Sequence, residues 1–148
     1  MLPKRKTYSC DIKFKVFQAR EAEGRIFQSG KDFAEVFKDI TKLDLETFFV
    51  ATLNQKNREI DRHLISVGTL TASLVHPREV FRPVINDAAA AVAFIHNHPS
   101  GDPTPSPEDK SLTTRLCEAA KLLGIRVLDH VIVGINGSYS FVDHGLLP

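Results

Sequence analysis

The stretch Ala91-Val92-Ala93-Phe94-Ile95-His96-Asn97-His98-Pro99-Ser100-Gly101-Asp102-Pro103-Thr104-Pro105-Ser106-Pro107-Glu108-Asp109 decides how the chain folds. The apolar run from Ala88 to Ile95 is too short to span a bilayer and reads as a buried strand feeding a polar loop. Side chains alternate along a strand, so His96 and His98 share a face with their α-carbons roughly 6.5 to 7 Å apart. Pro99, Gly101, Pro103 and Pro105 forbid helix and turn the chain. Ser106-Pro107-Glu108-Asp109 then writes a helix start: a capping serine, proline at the first helical position and an acid three residues after the cap. That path swings Asp109 back towards the two histidines.

Two neutral imidazoles and a carboxylate suit zinc at about 2.0 to 2.2 Å, and three protein ligands leave a fourth position for water, the arrangement of a catalytic site. Structural zinc sites are closed by four ligands and rich in cysteine, whereas Cys10 and Cys117 are far apart and neither sits at ligand spacing. Zinc makes a bound water easy to deprotonate, but a general base is still required from outside the motif. Plainer readings exist. Ser106 and Asp109 form a capping box without any metal, and His98 before Pro99 suits a loop. Taken separately, these leave unexplained why both histidines share one face just before the turn. The letters His-Asn-His also suggest an HNH nuclease, but three adjacent residues on a strand do not reproduce a site assembled from a hairpin and a helix.

His-x-His, seven residues, Ser, two residues, Asp resembles the JAMM motif of the JAB/MPN metallopeptidases, and His96 to Ser106 resembles the wording of the RadC branch of that superfamily. The resemblance implies that His96, His98 and Asp109 bind zinc and that Ser106 helps stabilise a developing oxyanion. It also implies a glutamate on an earlier strand that activates the water, in the setting Glu-x-Phe followed by apolar residues. Glu46-Thr47-Phe48-Phe49-Val50 resembles that setting and nominates Glu46 as general base. The rival is Glu79, in His76-Pro77-Arg78-Glu79-Val80-Phe81, a phrase that also resembles RadC proteins; near the first turn of a helix an acid favours the dipole in any case. Asp129-His130 matches a further RadC phrase, Asp-His-x-Ile-Val-Gly, without a ligand role. Local hydrogen bonding is expected of this pair, with support of a zinc ligand from behind as the alternative.

With 148 residues the chain fits one domain that buries roughly two thirds of its unfolded surface. Nineteen basic against eighteen acidic residues give a formal charge of +1, which lacks the strong positive field of a dedicated nucleic-acid binder. Lys4, Arg5, Lys6, Lys13, Lys15 and Arg20 form the most basic region, read as a solvated strand face before a nucleic-acid patch. Two cysteines, no apolar segment after Lys4-Arg5-Lys6 and no long apolar run lead to the expectation of a cytoplasmic protein that does not engage a membrane.

Along the chain, Tyr8 to Arg20 alternates as a half-buried strand, and Ser29-Gly30-Lys31-Asp32 opens a helix whose Phe33, Val36, Phe37 and Ile40 fall on one face up to Lys42. Glu46 to Leu53 reads as a central strand, Asn54 to Asn57 as a turn, and Arg58 to Val67 and Gly68 to His76 as two further strands of a meander. A helix from Pro77 has Val80, Phe81, Val84 and Ile85 on its core side and a bend at Pro83. After the metal loop, Leu112, Leu116, Ala119, Ala120 and Leu123 face inward from a helix ending at Gly124; Ile125 to Val133 and Tyr139 to Val142 flank a hairpin signal at Asn136-Gly137.

The expected fold is α/β (α+β), a mixed sheet with helices on both faces, with residues 1–45 supplying an N-terminal strand and helix to a metal-binding core over 46–148. This resembles the JAB/MPN fold, similar in shape to cytidine deaminases, although their His-x-Glu and Pro-Cys-x-x-Cys pairings are absent. Full-length RadC-type proteins carry an N-terminal helix-hairpin-helix region, and nothing before Glu46 reads as one, so the chain resembles the short form associated with prophage and mobile elements. The expected activity is zinc-dependent hydrolysis of a peptide or isopeptide amide in a peptide or protein substrate. The alternative is a non-catalytic metal-binding module in DNA repair or replication-fork maintenance, as the RadC name implies; salt-dependent DNA binding without zinc dependence distinguishes it.

Overall fold

The computed structural model describes residues 24–68 and 75–148. The expected strand over Tyr8 to Arg20 and most of the one over Gly68 to His76 lie outside them. In chain order the described residues form α1 (Gly30–Val36), a 3-10 helix (Lys38–Lys42), β1 (Thr47–Leu53), β2 (Glu59–Val67), α2 (Pro77–Asn86), β3 (Ala91–Asn97), α3 (Pro107–Leu123), β4 (Arg126–Gly134) and β5 (Gly137–Ser140). The strands make one mixed sheet in the order β2-β1-β3-β4-β5. β1 is antiparallel to β2 and to β3, β3 and β4 run parallel, and β5 returns antiparallel to β4. This is the α+β architecture expected from the sequence.

The parallel pair is what builds the site. Two parallel neighbours need a crossover, and α3 supplies it, starting just beyond the end of β3 and packing back on β4. Every residue of β3 is buried, because helices cover both faces of the sheet. On one face α2 and α3 enclose Phe48, Val50, Val92, Phe94, Leu112 and Leu116. On the other α1 and the 3-10 helix enclose Ala51, Leu53, Ala93, Ile95 and Val131 with Phe27, Phe33 and Phe37. His96 continues the row of Val92 and Phe94, so the face beneath α3 runs into the site.

Two details differ from the expectations, the exposure of Ile85 and Leu123 and the limits of the last hairpin. Ile85 is 59% exposed and Leu123 48% exposed: Val84 takes the inward place on α2, and with Leu122 both line an open groove of about 640 Å³ between α2 and α3. α2 runs through Pro83 to Asn86, with no amide hydrogen at the proline to donate. The hairpin loop is Ile135-Asn136, since Gly134 pairs with Gly137, and β5 stops at Ser140 because the Val142 amide donates to Asp129 Oδ1 at 3.1 Å. Among the described residues no helix is long and apolar enough to cross a membrane.

Candidate metal centre

β3 ends by delivering His96, the chain delivers His98 one residue after the strand, and the first turn of α3 delivers Asp109. His96 Nε2 lies 3.1 Å from His98 Nε2 and 3.3 Å from Asp109 Oδ1, and His98 Nε2 lies 3.2 Å from Asp109 Oδ2. Adjacent ligands of a tetrahedral ion held at about 2.0 to 2.1 Å sit about 3.3 Å apart. The three donors therefore already have the spacing of one coordination sphere, and they form the potential metal-holding group of the described residues. His96 is fully buried, while the side chains of Asp109 and His98 are 5% and 12% exposed.

The hydrogen bonds behind the ligands say which nitrogens carry protons. His98 Nδ1 is 2.9 Å from the Asp102 carbonyl, which only accepts, so Nδ1 holds the proton and a neutral ring turns an Nε2 lone pair inward. Asp102 holds this place as a turn former, its carboxylate accepting from the Thr104 amide at 3.0 Å and hydroxyl at 2.7 Å. Asp109 Oδ2 accepts from the Ser106 amide at 2.7 Å and Ser106 Oγ accepts from the Asp109 amide at 3.1 Å, the capping box read in the sequence. One carboxylate thus caps α3 and faces the histidines. With both rings neutral and their Nε2 atoms unprotonated, lone pairs from three residues converge, an arrangement that a cation completes. The donor set fits a divalent metal such as zinc.

Burial would raise the Asp109 carboxyl, but the facing His96 and His98 rings, which bond to it in their protonated forms, more than offset that and hold it well below the usual carboxylate range. Burial lowers the His96 imidazole against the pull of Asp109, whereas Asp109, by bonding to the protonated ring, raises His98. The charge of Glu46 also reaches both rings.

Register explains that reach. Phe48 pairs with His96 across β1 and β3, and their rings stack at 6.1 Å. Glu46 is two residues before Phe48, on the same alternating face, half-buried and anchored by its carbonyl, which accepts from the Gly68 amide at 2.8 Å. Asn97 secures both flanks of Glu46 from the opposite face. Its amide oxygen accepts from the Thr47 amide at 2.7 Å and hydroxyl at 2.8 Å, and its NH₂ donates to the Leu45 carbonyl at 3.0 Å.

Glu79 sits elsewhere, in the first turn of α2, with Arg78 and Arg82 at 3.7 and 3.5 Å and on the rim of the apolar groove. Asp129 and His130 point to opposite faces. Asp129 accepts from the His130 and Val142 amides at 2.8 and 3.1 Å and from Ser140 Oγ at 2.6 Å, against Gly30 of α1. His130 turns to the site, its Nε2 2.8 Å from His96 Nδ1, in a cage of Phe48, Phe94 and Phe141. Burial, reinforced by His96, keeps it well below the ordinary imidazole value. Cys117 is half-buried, with its thiol pushed up to about 11 by burial, which suits packing and not attack.

A family profile described as a RadC-like JAB domain matches residues 27–146. The chain belongs to this family. It is 57% identical over 105 residues to a UPF0758 protein of Symbiobacterium thermophilum, covering 71% of this chain and 45% of that one. It is 56% identical over 108 residues to a UPF0758 protein of Rubrobacter xylanophilus, covering 73% and 47%. With a UPF0758 protein of Trichlorobacter lovleyi it shares 47% over 135 residues, 90% of this chain and 59% of the relative. The chain thus spans about half the length of the relatives it matches. The matched RadC-like span contains β1, β3 and α3 with all three donors. Sequence reasoning missed Asn97, which could have been found from its place between the two histidines, facing the other way.

Proposed function

We propose that this RadC-like domain is a zinc-dependent metallohydrolase of the JAMM type that cleaves a peptide or isopeptide amide bond. The observation that carries the reading is the trio of His96, His98 and Asp109, whose donor atoms stand 3.1 to 3.3 Å apart. When bound, a divalent ion there supplies Lewis acidity that brings water deprotonation near neutral pH and polarises the carbonyl. Three protein ligands is the number that catalytic zinc sites use.

The chain's own residues do the rest. Glu46, on the face of Phe48 and His96, takes a proton from the attacking water and returns it to the leaving nitrogen as the C–N bond breaks. Ser106 uses its oxygen to accept from the Asp109 amide, which leaves its hydroxyl hydrogen to donate to the oxyanion formed from the substrate carbonyl. The aromatic wall of Phe48 and Phe94 keeps water from the back of the histidines. Glu79, ion-paired on α2, has no part in this scheme. The thiol of Cys117 supports a reducing, cytoplasmic setting.

The test is metal analysis of the purified protein with a peptide-library cleavage assay, wild type beside Glu46→Gln. Both proteins are expected to bind one zinc, and the wild type alone to cleave. A zinc-loaded wild type that cleaves nothing would overturn the hydrolase reading, and equal cleavage by Glu46→Gln would remove that residue from the mechanism.

A further inference from the structure

Behind His96 a chain of hydrogen bonds leads away from the site and returns to it. His96 Nδ1 lies 2.8 Å from His130 Nε2; His130 Nδ1 lies 2.6 Å from Thr113 Oγ1; Thr113 Oγ1 lies 2.6 Å from the Asp109 carbonyl oxygen. The directions can be deduced from the far end. A carbonyl has no hydrogen, so at 2.6 Å the single hydroxyl hydrogen of Thr113 must point at Asp109; otherwise two lone pairs would meet. Thr113 Oγ1 then has only lone pairs left for His130, so His130 Nδ1 carries a proton. His130 is fully enclosed, walled by Phe48, Phe94 and Phe141, and its two hydrogen-bond partners are a hydroxyl and another imidazole, with no carboxylate to hold a positive charge. A neutral ring protonated at Nδ1 accepts at Nε2, and His96 must donate from Nδ1. That leaves His96 Nε2 as a bare lone pair aimed at His98 and Asp109.

We infer that Thr113 and His130 are positioning residues which, by a one-way proton chain anchored on the Asp109 carbonyl, lock His96 in the tautomer and ring orientation that present Nε2 to a cation. The inference rests on the metal reading of the site. Its distinctive feature is closure: the chain starts at one ligand and ends on the backbone of another, so β3, β4 and α3 fix both ligands through a single circuit. His98 is oriented separately, by the Asp102 carbonyl. A hydroxyl at position 113 is the component that sets the direction, since valine there has the same shape and nothing to accept with.

The experiment is nitrogen-detected NMR of the histidines in the metal-free full chain, combined with Zn²⁺ titration of wild type, Thr113→Val and Thr113→Ser. In the wild type, both His96 and His130 are expected as the Nδ1-protonated tautomer. Thr113→Val should show mixed tautomers at both rings and bind Zn²⁺ about 10 to 100-fold more weakly, and Thr113→Ser should restore both readouts. A wild-type His96 protonated at Nε2, or a folded Thr113→Val with wild-type spectrum and affinity, would overturn the inference. A wild type that ignores Zn²⁺ overturns the metal reading instead, and the spectrum of the metal-free protein still decides the proton chain.

Discussion

Asp109 serves two purposes through one carboxylate: it accepts from the Ser106 amide to start α3, and it stands 3.3 and 3.2 Å from the two imidazoles. Asparagine separates the duties, because its amide oxygen still caps while the charge is gone. Asp109→Asn is expected to keep the fold to within about 1 kcal/mol in thermal unfolding and to lose Zn²⁺ binding in titration; an Asp109→Asn variant that loads normally would remove this carboxylate from the ligand set. Asp129, on the far face, gives a pH prediction. Burial lifts its carboxyl above the ordinary value despite three hydrogen bonds. A folded-state value raised in this way contributes stability that is fully present below the unfolded value of about 4 and is lost as pH rises through the raised one. Unfolding free energy followed against pH in metal-free protein should show that decline in the wild type and not in Asp129→Asn; the same slope in both would count against it. The sequence displayed the three candidate donors because all lie within fourteen positions in a pattern of strand, turn and cap. It hid Asn97 and Thr113, whose partners lie 50 and 17 residues away, since spacing along a chain says nothing about neighbours that only a sheet creates.

At the scale of elements, the site depends on how tightly the metal loop is pressed onto the end of β4. Gly101, with φ of +90°, passes directly over Gly134, and the Asn136 amide donates to its carbonyl at 3.2 Å. A β-carbon on Gly134 would collide with the Gly101 carbonyl oxygen, and neither backbone can yield without moving the loop that carries Asp102 and orients His98. Gly134→Ala should therefore cost about 1 to 3 kcal/mol in denaturant unfolding and weaken Zn²⁺ binding in the same protein; a stable variant with unchanged affinity would show the loop to be set from elsewhere. Helix α3 and strands β1, β3 and β4 were readable from periodicity, the capping box and Gly124 at φ +69°. Ile85 misled because a stripe on a ten-residue helix is broader than the face its neighbours cover, and Val142 because a side chain, Asp129, took the amide a strand would have used.

Over the whole molecule, one sheet separates two apolar layers, and the three donors gather where strands β1 and β3 leave the layer under α3. The mixed topology could be anticipated from the order of elements, yet the sheet order could not, because nothing local tells β3 to pair with both β1 and β4. Since the donors come from separate elements that meet only in the folded state, Zn²⁺ bound by them would stabilise that state. At about one hundred times the dissociation constant the gain is about 2.7 kcal/mol, or about 5 to 10 °C in melting temperature for a chain of this size. His96→Ala should abolish the shift, and a wild-type melting temperature indifferent to Zn²⁺ would contradict a preformed site. The uneven enclosure of the donors also sets the side from which an ion would come and go. His96 is sealed inside, whereas the side chains of Asp109 and His98 are 5% and 12% exposed, so a bound ion would meet solvent on the side of those two residues. An ion held there would therefore exchange with solvent from that side and not past the fully buried His96.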